Sequence, residues 1–93
     1  MKPIVCHGDN LTEGADIEIA YRWPSLLENV IGREVINTGI GGDTTAGLLS
    51  RFPTDVVPLK PLAIILTAGT NDLWWELPVN AVMANSNGSP FRV

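Results

Sequence analysis

Three short loops gather most of the residues in this chain whose types could do chemistry. They are His7-Gly8-Asp9-Asn10, Gly39-Ile40-Gly41-Gly42-Asp43 and Gly69-Thr70-Asn71-Asp72. Each sets glycine beside a carboxylate or a carboxamide. Gly8, Gly41, Gly42 and Gly69 let the backbone turn sharply and come close to a ligand. The second loop runs into Thr44 and Thr45, which read as a helix start, so the amide N–H groups ahead of them point into the same space. That arrangement suits a negative charge, whether resident on a ligand or developing during a reaction.

The remaining reactive side chains are few. Cys6 and His7 are the only residues of their kinds, which excludes an intramolecular disulfide and a Cys/His structural zinc site. Cys6 reads as a small buried hydrophobe within a strand. His7, at the end of that strand, reads as a packing residue more readily than as a general base. Ser25 and Ser50 fall in predicted helices, Ser86 and Ser89 in the tail, and none sits where a strand turns into a loop.

The elements that must position these loops follow from hydrophobic patterning. Each loop comes after a short apolar run: Pro3 to Cys6, Glu34 to Asn37, and Leu62 to Thr67. The third run is continuously apolar and rich in β-branched residues, as in a strand buried on both faces. Between the runs lie helix signals. Pro24 suits a first turn, Leu26, Leu27, Val30 and Ile31 fall at helical spacing, and Gly32 is a stop. Thr44 or Thr45 caps a second helix carrying Leu48, Leu49 and Phe52, with Pro53 expected to break it. A short piece near residues 55–59 leads to Lys60-Pro61, and Pro78 is expected to start a last helix with Val79, Val82 and Met83. This alternation predicts an α/β fold with a parallel sheet of about three βα units. In such sheets ligands collect at the carboxyl ends of the strands, where all three loops sit. Three strands leave an exposed edge, through which self-association is expected.

At 93 residues, with 45% apolar and 17% charged residues, the chain has room for one small globular domain. Residues 1–84 are assigned to it and 85–93, rich in turn formers, to an irregular tail. Six Lys and Arg against ten Asp and Glu leave a formal charge of −4, so no basic stripe is available for nucleic acid. No apolar run has the length of a membrane span, and Pro3 to Cys6 is too short for a signal-peptide core, so a cytoplasmic location is expected.

The three loops also resemble, in order and spacing, the sequence blocks of the SGNH hydrolases, the GDSL-type esterases, lipases and acylhydrolases. Val5 through Gly14 is similar to the family's Gly-Asp-Ser-Leu-Thr-x-Gly block. Asn37 through Thr45 is similar to its oxyanion-glycine block, and Gly69-Thr70-Asn71-Asp72 to its Gly-x-Asn-Asp block. The resemblance covers roughly residues 3 to 84. It implies a three-layer, flavodoxin-like sheet and serine-type hydrolysis of a carboxylic ester or thioester, without metal or cofactor. It further implies an oxyanion hole formed by the backbone N–H of Asn10, the N–H of Gly42 and the side chain of Asn71.

Two positions depart from the pattern. Asn10 stands where the family has its nucleophilic serine, and a carboxamide has no ionisable oxygen for a base to activate. No Asp-x-x-His follows Asn71, so the chain corresponds to about the first half of the family fold. The leading expectation is therefore a hydrolase-family chain with little or no activity of its own. The alternative is a non-catalytic module that holds a carboxylate or acyl group in the retained hole. A dinucleotide-binding reading of Gly39-Ile40-Gly41-Gly42 lacks the final glycine of that motif. Asp9 is open between bonding loop amides and contacting substrate, and Asp43 and Asp72 between turn or cap roles and ligand contact. Trp74 and Trp75, beside Leu73 and Leu77, are equally open between lining an acyl pocket and packing or lying bare on the surface.

Overall fold

The computed structural model describes residues 2–77 and 80–83. Its centre is a parallel sheet of three strands, β1 (Ile4–Gly8), β2 (Val35–Asn37) and β3 (Ala63–Thr67), in the order β2-β1-β3. The register sets Ile4 beside both Val35 and Ala63, and Gly8 beside Thr67. All three strands therefore run the same way, and their carboxyl ends lie together. Because β1 is central, Val5, Cys6 and His7 are fully buried. β1 also extends through His7 and Gly8, beyond the apolar run that marks it in the sequence.

Helix α2 (Trp23–Ile31) has Pro24 in its first turn, and Gly32 closes it at φ 66°. Helix α3 (Thr45–Asp55) is capped by the Thr44 hydroxyl, which accepts from the Gly47 amide at 3.3 Å. The expected break at Pro53 does not occur, and α3 continues to Asp55. Pro53 has no N–H to offer the Leu49 carbonyl, but its fixed φ is compatible with a helix and only two helical residues follow it. A single 3-10 turn, Val57–Leu59, then leads to Lys60 in the left-handed region. Two further short helices, α1 (Asn10–Glu13) and α4 (Thr70–Trp74), follow β1 and β3 directly. Residues 80–83 are helical, whereas Pro78, Val79 and the tail from residue 84 lie outside the described residues.

The apolar core lies between the sheet and α3. Val5, Phe52 and Val56 are buried, with Ile36, Leu59 and Ile64 packed against them. Side chains alternate across a strand, so His7 shares the face of Val5 and meets the Phe52 ring edge-on, with centroids 5.9 Å apart. The expectation that β3 is buried on both faces fails: Ala63 and Ile65 are exposed. β3 is an edge strand here, and a strand is covered only by the elements placed beside it.

Candidate anion-binding site at the sheet's carboxyl end

Strand order reverses between β1 and β3, because the chain passes from β1 outward to β2 and then returns to β1's other side. This is the switch point at which open parallel sheets place ligands. The loops after β1 and β3 flank it, and the loop after β2 closes over them.

Asn10 opens α1. Asp9 caps that helix, its Oδ1 accepting from the Leu11 amide at 3.0 Å. The Asp9 carboxylate is buried, and its Oδ2 has no hydrogen-bond partner among the described residues. As the first helical residue, Asn10 has a backbone N–H without an intrahelical acceptor. Its side chain is exposed. Gly8 lies directly beneath, and a Cβ there would collide with the hydroxyls of Thr12 and Thr67, which hydrogen-bond to each other across α1 and β3. Gly8 is thus required by close approach.

The loop after β2 is tied to α1. The Glu13 carboxylate accepts from the Gly41 amide at 3.1 Å, and the Asn37 side chain donates to the Thr12 carbonyl at 2.8 Å. Gly42 follows at φ 80°, in a conformation that favours glycine, and is exposed. Asp43 turns away from the site and pairs with Arg51 at 2.8 Å. Arg51 also pairs with Asp55 at 2.7 Å and donates to the Thr38 carbonyl at 3.0 Å. The Arg51 hydrogen bond holds the Asp55 carboxyl below the usual range.

After β3, Asn71 and Asp72 divide the work. The Asn71 side chain donates to the Asp43 carbonyl at 2.9 Å and to the Asn10 side-chain oxygen at 3.1 Å. Two residues 61 positions apart in sequence thus meet across the switch point. Asp72 is fully buried and accepts from the Thr45 amide at 2.9 Å and the Thr45 hydroxyl at 2.7 Å. It therefore caps the start of α3, not the segment after its own strand.

His7 lies apart from this cluster. Its Nε2 donates to the Leu48 carbonyl at 2.9 Å, and its Nδ1 accepts from the Thr38 hydroxyl at 2.8 Å. Burial pulls its pKa below the ordinary value, and the neutral ring fits those two bonds. The Cys6 thiol, also buried, is pushed up to about 11. Trp74 and Trp75 are largely exposed, at 79% and 67%. The cavity next to Asn10, about 220 Å³, is lined instead by Leu11, Gly14, Ala15, Asp16 and Ile17. Among the described residues no group of three or more His, Cys, Asp or Glu side chains is placed to hold a metal ion. None of the helices there is long and apolar enough to cross a membrane.

Glu13, Thr45 and Arg51 all support the site; Thr45 is marked in the sequence only as part of a helix start, and Glu13 and Arg51 do not stand out. Arg51 and Asp55 at i,i+4 offer the one local signal.

Residues 6–88 match the GDSL-like Lipase/Acylhydrolase family. The chain belongs to that family. Its relatives include an arylesterase of Vibrio mimicus, 34% identical over 83 residues, an alignment that takes in 84% of this chain and 42% of the relative. Another is Esterase TesA of Pseudomonas aeruginosa, 31% identical over 70 residues, or 70% of this chain and 35% of the relative. A Bacillus subtilis relative, 36% identical over 76 residues, is described as an uncharacterized lipoprotein. Among solved structures, the SGNH-hydrolase family esterase AlinE4 superposes with a TM-score of 0.81 at 33% identity, covering 90% of this chain and 48% of that one. The crystal structure of TesA gives a TM-score of 0.84 at 25% identity, covering 89% and 49%. The fold is thus the flavodoxin-like α/β sheet of the SGNH hydrolases. This GDSL-family chain spans less than half the length of the curated relatives it matches, and about half of those solved structures.

Proposed function

We propose that this chain carries the oxyanion-stabilising part of an acyl-ester hydrolase site and, as it stands, does not turn esters over. The observation that carries this reading is the meeting of Asn71 with Asn10 across the switch point. The backbone N–H of Asn10, the N–H of Gly42 and the Asn71 side chain would together receive the carbonyl oxygen of a carboxylic ester or thioester. Donors fixed in advance on a developing oxyanion are usually the largest single contribution to acyl transfer. No metal or cofactor is needed for that step.

A nucleophile and its base are the missing parts. Asn10 offers a carboxamide where the reaction needs a hydroxyl that can be deprotonated. His7 is buried with both ring nitrogens engaged, so it does not serve as base. Serine at position 10 would not supply one. With a short-chain nitrophenyl ester, the native chain and Asn10→Ser are both expected to stay within about ten-fold of each other, at most roughly 10³ to 10⁴ over water. Turnover by either at the rate of an ordinary esterase would overturn the proposal.

The same contact favours a second reading. Asn71 already holds a neutral oxygen acceptor in the place a ligand oxygen would take. A carboxylate or acyl carbonyl is the corresponding ligand, bound and not attacked. Saturable calorimetric binding of acetate that is lost in Asn71→Ala supports this, and a flat titration ends it.

A further inference from the structure

We propose that Asn10 is the resident occupant of the anion-stabilising site: its side-chain oxygen takes the Asn71 proton that a ligand oxygen would otherwise receive. The inference rests on the oxyanion-site reading above and adds a competitor to it.

The Asn71 carboxamide nitrogen has two protons, and both are placed. One goes to the Asp43 main-chain carbonyl at 2.9 Å. That acceptor belongs to a loop residue held by Arg51, so it fixes the direction of the whole Asn71 amide. The other proton points at Asn10 Oδ1, 3.1 Å away. The two acceptors differ in kind, since the first is backbone and the second sits on an exposed side chain. Displacing the second breaks one neutral hydrogen bond between a pair that water can reach, which costs little. Asn10 therefore acts as a removable cap. A serine at this position is shorter, and its hydroxyl lacks the planar acceptor that reaches Asn71. The residue that removes the nucleophile thus also fills the site. It weakens every carbonyl or carboxylate ligand by the same factor, because each must first displace Oδ1.

Asn10→Ala deletes the cap and keeps the backbone N–H. Calorimetric titration with sodium acetate should then show binding roughly three- to ten-fold tighter than in the native chain, the size of one net hydrogen bond. A second readout needs no ligand. In the ¹H–¹⁵N spectrum of the free variant, the Asn71 side-chain proton aimed at position 10 should move, while its partner on Asp43 stays. Asn10→Ser should give the same pattern if Asn10→Ala folds poorly. Unchanged Asn71 resonances overturn the cap whether or not acetate binds, and so does equal acetate affinity in the native chain and the variant. If the resonances move as expected but neither protein binds acetate, the cap stands and the anion-binding reading falls.

Discussion

Helix α4 has two sides that are secured by different means. On the inner side, Asp72 is fully buried and binds the start of α3 through two hydrogen bonds. On the outer side, Leu73 and Trp74, with Trp75 just beyond, lie mostly in solvent. The same contrast holds for the sheet. Near the carboxyl end of β1, His7 is fully buried and held by Thr38, the Leu48 carbonyl and the Phe52 ring, whereas Ile65 of β3 and the adjoining Leu62 are open. The part of the molecule that positions the site is therefore fastened by directional polar contacts. The apolar surface beside it adds little to that fastening. Bulk hydrophobicity is a poor guide to which residues hold this site in shape.

Substitutions on the two sides of α4 should differ most. Asp72→Ala leaves the Thr45 amide and hydroxyl without their buried acceptor, and about 2–4 kcal/mol of stability should be lost in urea unfolding. Asp72→Asn should recover part of it, since one carbonyl acceptor remains. A loss below about 1 kcal/mol for Asp72→Ala would mean that the polar contacts are not what secures the inner side.

The His7 side of the sheet should show itself through pH. Burial depresses the His7 pKa in the folded chain, so below the ordinary value the unfolded chain binds more protons than the folded one. Stability from this group is then fully present above about pH 6.5 and falls as the pH drops through that value toward the folded pKa. Urea midpoints measured from pH 7.5 down to 5 should decline, and His7→Gln should flatten the decline within that window. The lowered Asp55 pKa acts separately, at pH values below the ordinary aspartate value of 3.8.

The smallest effect is expected on the outer side. Trp74→Ser and Trp75→Ser should change stability by no more than about 0.5 kcal/mol. They should also reduce binding of a hydrophobic dye and any concentration-dependent association seen by gel filtration, because exposed apolar patches favour association. A destabilisation as large as that of Asp72→Ala would erase the distinction between the two sides.

The longer elements are legible in the sequence because their signals are local. Pro24 and Gly32 bracket α2, and Thr44 caps α3, as their residue types require. The three strands appear as apolar runs. Four- and five-residue helices such as α1 and α4 are too short to show a period, and neither is readable in advance. Pro53 misleads because a proline costs a helix one hydrogen bond without forbidding the half turn that follows it. β3 misleads because an apolar run shows that a strand can be buried, not that something covers it. The family blocks single out Asn10, Gly42 and Asn71 in the sequence, and the fold brings Asn10 and Asn71 into contact. Their supports are not readable there, since Asp72 and Thr45 are 27 positions apart and Glu13 and Gly41 are 28. Side-chain to backbone contacts at such separations leave no pattern in a single sequence.

The three loops are joined in pairs by Glu13 with Gly41, Asn71 with the Asp43 carbonyl, and Thr12 with Thr67 at the root of the third loop. Mechanically this is a triangle of struts, the smallest frame that cannot shear without stretching a member. The side chain of residue 10 adds one exposed hydrogen bond, to Asn71, outside this triangle. Residue 10 can therefore change identity while the triangle keeps its three members, whereas removing any one strut would leave the other two hinged at their shared corner.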